Sequence, residues 1–210
     1  MCLAFVTTSG HQSAARAISS ASSFAGTAKS FAIPDRLPAV PEFAWVELDG
    51  EVQGELWNEF ATEYGFRRGP DPASWPAIRE PAPSLCWALG SAPMQPVAQL
   101  VCDVLCACTE YWDSVFWHDS VHPSAQYRPH RVTDITDLDC WEYTHYPNGD
   151  YLIFVSKDLS FGIVGNHHER SLCFFGETAV QAATELNRRI LGPLLRRDGQ
   201  TVDPGSVTEQ

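Results

Sequence analysis

Apolar residues recur along this chain with two different periods, and the change comes near its middle. In the first half Leu56, Trp57, Phe60 and Tyr64 are spaced three and four apart within residues 51–64, and Gly65 follows where a helix needs a left-handed stop. A proline-rich loop and a short strand at Leu85–Leu89 are expected next. Val97, Leu100, Val101, Val104, Leu105 and Cys108 then form the clearest amphipathic stripe of the chain. In the second half the apolar runs shorten and become β-branched and aromatic, at 140–146, 150–156, 161–165 and 171–176. Turn-like stretches, Pro147-Asn148-Gly149 and Lys157–Ser160, separate the first three. This pattern predicts an antiparallel meander. Tyr151–Val155 is almost wholly apolar, which fits a central strand covered on both faces, so helices must pack against the sheet. A last helix is expected from Thr178, whose hydroxyl would cap the first turn with Gln181 three residues on, through Leu186 and Ile190 to the break at Gly192-Pro193. The fold class is α+β, a single domain with a meander packed against helices.

Composition sets the limits of that domain. Residues 1–40 are an Ala/Ser-rich extension ending in a linker with Pro34 and Pro38, residues 41–200 are the α+β domain, and 201–210 are a tail. Apolar residues make up 44% of the 210, with 11 Phe, 7 Trp and 6 Tyr, enough for a substantial core. No apolar run approaches the roughly 20 residues of a membrane span, and the expectation is a soluble, cytoplasmic protein. Residues 35–210 hold twelve basic residues and all 26 acidic ones, a net charge of −14. Such a surface repels phosphate backbones and anionic lipid, which disfavours nucleic acid and membrane as partners and favours a cationic ligand or a protein with a basic surface. Of the seven cysteines, Cys102, Cys106 and Cys108 fall within one apolar helix and read as core thiols of a reducing compartment. The Arg-rich, Ala- and Pro-rich usage is that of a GC-rich bacterial genome.

The candidate chemistry is concentrated in the second half, where six of the seven histidines lie between residues 118 and 168. His118 and His122 are spaced i, i+4, which on a helix would aim both rings at one divalent ion, with His168 as a third ligand. Pro123, and Asp119 in place of the usual Glu, count against that zinc reading, which stands as the alternative to a site without cofactor. Asn148-Gly149 is the strongest hairpin signal. Alternation of strand direction then puts Asp150 at the same end of the sheet as the turn around His168 and Glu169. Imidazole–carboxylate neighbours are the parts needed for proton transfer near neutral pH, which makes His122 with Asp119, and His168 with Glu169, the candidate acid/base pairs. Asp150 would hold a cationic substrate group, and Tyr146, Tyr151 and Arg170 flank it as candidate substrate-binding groups.

The stretches LWNEFATEYGF, WPAIREPAPSL, DSVHP, YPNGDYLIF, FGIVGNHHERSLCFFG and LLRRDG, in this order over about residues 55–200, resemble the bacterial DUF2716 family, a domain of unknown function. Asp119, His122, Pro123, Gly149, Asp150, Tyr151, Gly165, Glu169 and Gly176 match the family pattern. Ahead of the Glu matching Glu169 the family usually has His, Pro and Trp, where this chain has Asn166, His167 and His168. The resemblance implies domain limits rather than an activity. The chain lacks a GxSxG elbow, a phosphate loop and a dinucleotide-binding glycine pattern. The leading expectation is therefore a small enzyme without organic cofactor, using acid/base chemistry on a polar, amine-bearing small molecule. An elimination or cyclisation in bacterial secondary metabolism would fit. The alternative is an acidic binding protein of the immunity type that masks a basic partner, or a non-catalytic partner of another enzyme.

Overall fold

The computed structural model describes residues 44–119, 121–132 and 144–203. Nine strands form one antiparallel sheet: β1 (Trp45–Glu47), β2 (Ser84–Ala88), β3 (Val115–His118), β4 (Ala125–Tyr127), β5 (Leu152–Ser156), β6 (Gly162–Asn166), β7 (Ser171–Phe175), β8 (Leu194–Arg197) and β9 (Gln200–Thr201). Their order is β1-β4-β3-β5-β6-β7-β2-β8-β9. Among the described residues three α-helices accompany them, α1 (Gly50–Tyr64), α2 (Met94–Cys108) and α3 (Glu177–Leu186). The fold is α+β, as the change of period predicts.

The central strands β5, β6 and β7 are buried at every position, so both faces of the sheet are covered. On one face α2 and α3 pack with Val115, Trp117, Leu152, Phe154, Ile163, Leu172 and Phe174. On the other, Phe60 and Tyr64 of α1 and Ala77 and Ile78 of the following loop pack with Tyr151, Ile153, Val155, Val164 and Phe175. Helix α1 starts and stops where its sequence says. Asp49 accepts a hydrogen bond from the Glu51 amide at the start of α1, and Gly65, at φ +58°, ends it. Helix α2 buries seven residues and α1 only two. At about 1.5–3 kcal/mol for each large apolar side chain, α2 is the stronger anchor.

Several expectations need correction. Thr178 does not cap α3; Gly176 does, at φ +85°, and the helix ends at Leu186, short of Ile190. The Asn148-Gly149 turn does not join two paired strands, because both edges of β5 are taken by β3 and β6, and residues 144–146 are not in a strand. The rest of the expected strand at 140–146, the extension 1–40 and the tail from 204 lie outside the described residues. His118 ends β3 and residues 121–122 form a bend, so His118 and His122 do not share a helix. Strands β1, β3, β4, β8 and β9 are additions.

Gly176 carries a specific requirement. A Cβ there would overlap the Ser160 carbonyl oxygen and lie 2.7 Å from the Phe161 Cβ, and the backbone stands in a region that L side chains rarely adopt. Gly176→Ala is expected to cost about 2–3 kcal/mol, read as a lower urea midpoint with an unchanged slope. An undisturbed midpoint would show that the β6 turn moves aside freely.

Candidate active site

Antiparallel neighbours alternate in direction, so the end of β3, the start of β5 and the β6–β7 turn meet at one end of the sheet. There the chain leaves β3 through Asp119, whose side chain is 4% exposed. Its Oδ1 accepts the backbone N–H groups of Val121 (2.7 Å) and His122 (2.6 Å), closing the turn. Its Oδ2 lies 2.5 Å from Nδ1 of His122. Two amide bonds are enough to close such a turn, so the contact to the ring is a further function of the same carboxylate. The His122 side chain is 22% exposed, placing the ring at the boundary with solvent. Asp150 joins this pair from the start of β5: Asp119, His122 and Asp150 each offer a donor atom, all within 4.8 Å of one another.

His167, which sequence reasoning did not single out, extends the rim. Burial lowers its pKa and the adjacent His168 lowers it further, while the Asp150 carboxylate and backbone oppose both. Its ring stands edge-on to Tyr151 (5.2 Å) and stacks obliquely on His168 at 3.8 Å. The adjacency of His167 to His168 in the turn is the signal that could have found it, since both rings pack beside Tyr151.

The second expected pair is not brought together. Glu169 turns to Arg196, which donates to both its oxygens, and accepts from the Ser171 hydroxyl at 2.6 Å. His168 is exposed. Arg170, at φ +54°, donates to the Gly90 carbonyl at 2.5 Å. Tyr151 is buried and its hydroxyl accepts the Gly69 amide (3.0 Å), while half-buried Tyr146 packs against the core under α2. Asn166, standing where the resemblance expects His, accepts the amides of His168 (3.0 Å) and Glu169 (3.2 Å) and so shapes the turn.

The zinc reading also changes its residues. His118 is buried beneath Trp57 (centroids 5.4 Å, 12° apart), with Nδ1 on the Ser124 hydroxyl at 2.8 Å, and burial lowers its pKa to about 4. Among the described residues, His118 and His168 share no potential metal cluster with His122; Asp119 and Asp150 do. An open groove of about 290 Å³ at the opposite end of the sheet, between Trp112 and Asp158, is lined by Lys157 and Asp113 but by no imidazole. Volume and chemistry therefore point to different ends, and the imidazole–carboxylate geometry is the stronger guide to reactivity.

No helix among the described residues is long and apolar enough to cross a membrane. No solved structure matches the chain. A protein of Bacillus subtilis (strain 168), described as uncharacterized protein YxiI, is 29% identical over 70 residues, which are 33% of this chain and 43% of that protein. The match thus covers less than half of that relative's length. The family model described as protein of unknown function (DUF2716) matches residues 47–180, which include the whole Asp119–His122–Asp150 rim, and the chain belongs to that family.

Proposed function

We propose that the protein is an enzyme of the acid/base type, acting on a polar, amine-bearing small molecule at the rim formed by Asp119, His122 and Asp150. The observation that carries this reading is the buried Asp119 carboxylate 2.5 Å from Nδ1 of a partly exposed imidazole. A carboxylate so placed orients the ring and fixes its tautomer, as an imidazole that transfers protons requires. Asp150, close to both, supplies the negative charge that would hold an ammonium group, and His167 borders it.

The test uses a panel of primary and secondary amines that carry a β-leaving group or an electrophilic carbon within ring-closing distance, with products followed by mass spectrometry. His122→Ala is expected to lower turnover about 100-fold or more and Asp119→Asn by about tenfold or more. Asp150→Asn should act mainly on KM. Turnover unchanged in the first two variants would remove the proposal. A stoichiometric complex with a basic polypeptide that survives His122→Ala, without any turnover, would favour the binding-protein reading that the net −14 of residues 35–210 motivates. The three donor atoms within 4.8 Å carry a second reading, a divalent ion at this rim. Activity lost to a chelator and restored by zinc would select it.

A further inference from the structure

We propose that Glu80, Cys86 and Cys173 form a binding site for a thiophilic divalent cation, Zn²⁺, on the face of the sheet covered by α1. The two cysteines are directly opposite each other on β2 and β7. Continuing the same row of the sheet, Cys173 faces Val164, Val164 faces Ile153, and Ile153 faces His118. Four strand spacings, about 19 Å, thus separate Cys86 from His118 and place this site apart from the Asp119 rim. Glu80 comes over the cysteines from the loop that follows α1, and all three residues are buried.

Three observations point to a ligand. One oxygen, one sulfur and a second sulfur lie within 4.8 Å of one another. A tetrahedral zinc site with Zn–S of about 2.3 Å and Zn–O of about 2.1 Å holds its donors about 3.5–3.8 Å apart, a contraction of about 1.3 Å at most. Glu80 Oε1 accepts from Arg196 at 2.9 Å, but Oε2 has no hydrogen-bond partner among the described residues, although the side chain is only 1% exposed. A buried carboxylate oxygen without a donor is costly, and a cation between it and the two sulfurs satisfies it. Finally, Arg196 Nη2 lies 3.1 Å from the Cys86 sulfur, as suits a site where that sulfur carries negative charge. On binding, each S–H bond breaks, its proton leaves to solvent and a Zn–S bond forms. One Zn²⁺ thus replaces two protons and the net charge of the buried cluster does not change.

The full chain, reduced and freed of metal, is titrated with Zn²⁺ and with Cd²⁺, whose thiolate complexes absorb in the ultraviolet. The expected result is one ion per chain with Kd below about 1 µM, two protons released, a thiolate–cadmium band, and protection of Cys86 and Cys173 from alkylation. Cys173→Ala should weaken binding at least tenfold, whereas Cys106→Ala should leave it unchanged. If Cys173→Ala does not fold, mapping the protected cysteines in the unaltered protein by mass spectrometry decides the matter by itself. No binding at micromolar metal, protection of other cysteines, or loss of binding in Cys106→Ala would overturn the proposal. So would a mass lower by two hydrogens with Cys86 and Cys173 joined in the protein as purified, which would make them a disulfide pair.

Discussion

Arg196→Met is expected to cost the fold about 3–5 kcal/mol, the largest loss from any single side chain described above. Arg196 is 11% exposed and its guanidinium joins three segments distant in sequence: Nε donates to Glu80 Oε1, Nη1 and Nη2 to Glu169, and Nη2 to the Cys86 sulfur. Burial alone would lower its pKa, but the bonds to Glu169 and Glu80 outweigh that and hold it above its ordinary value. Methionine matches the stem and removes the cation, leaving two carboxylates, 1% and 9% exposed, with no counter-charge. Because both carboxylates suffer less when protonated, the variant's deficit relative to the unaltered protein should narrow as the pH falls from 7 to 5. A simple packing defect would not behave so. Urea unfolding at the two pH values reads the effect, with Arg197→Met, an exposed neighbour on β8, expected to stay within about 0.5 kcal/mol of the unaltered protein. A loss for Arg196→Met below about 1 kcal/mol would show that water already neutralises the cluster.

The same residue shows where sequence reasoning stops. Periodicity marks α1, α2 and the strands β5 to β7, because each carries a continuous apolar stripe or run dictated by burial. Strands β3 and β4 are only four and three residues long and are interleaved with His, Ser and Pro, so residues 117–130 present no clean period. The i, i+4 spacing of His118 and His122 therefore looked like a helical face. In the fold His118 ends a strand, a turn follows, and the rings diverge, one into the core and one to the rim. Alternation of strand direction did place Asp150 and the HHER turn at one end, since it depends only on the order of β5, β6 and β7. That Asp119 and His122 join Asp150 was legible as chemistry but not as position, because β3 pairs with β5 across 33 or more residues of intervening sequence. Chain proximity pairs Glu169 with His168. Its partner is Arg196, 27 residues on, and no local pattern predicts such a pair.

Lowering the pH from 7 to 5 is expected to cost about 4 kcal/mol through two histidines that the candidate chemistry does not use. Burial lowers the pKa of His118 to about 4, against a smaller upward pull from Asp119, and burial alone lowers that of His145 to about 4. His118 is enclosed by Trp57, Phe116 and the Ser124 hydroxyl, and His145 by Trp45, Phe154 and the Tyr127 hydroxyl at 2.7 Å. A base whose folded pKa is depressed binds fewer protons folded than unfolded. Its contribution is therefore complete above the unfolded value of about 6.5 and is lost as the pH falls from there to about 4. Each unit below 6.5 costs about 1.4 kcal/mol per group, so pH 5 takes about 2 kcal/mol from each. Against a domain stability of about 5–15 kcal/mol, that loss is about a quarter to four fifths of the total, so the urea midpoint should fall clearly between pH 7 and pH 5. His118→Gln and His145→Gln each remove one titrating group and should each halve the loss between pH 7 and pH 5, whatever they cost at pH 7. Equal slopes of stability against pH in both variants and the unaltered protein would mean that other groups govern acid unfolding, and that water reaches these rings.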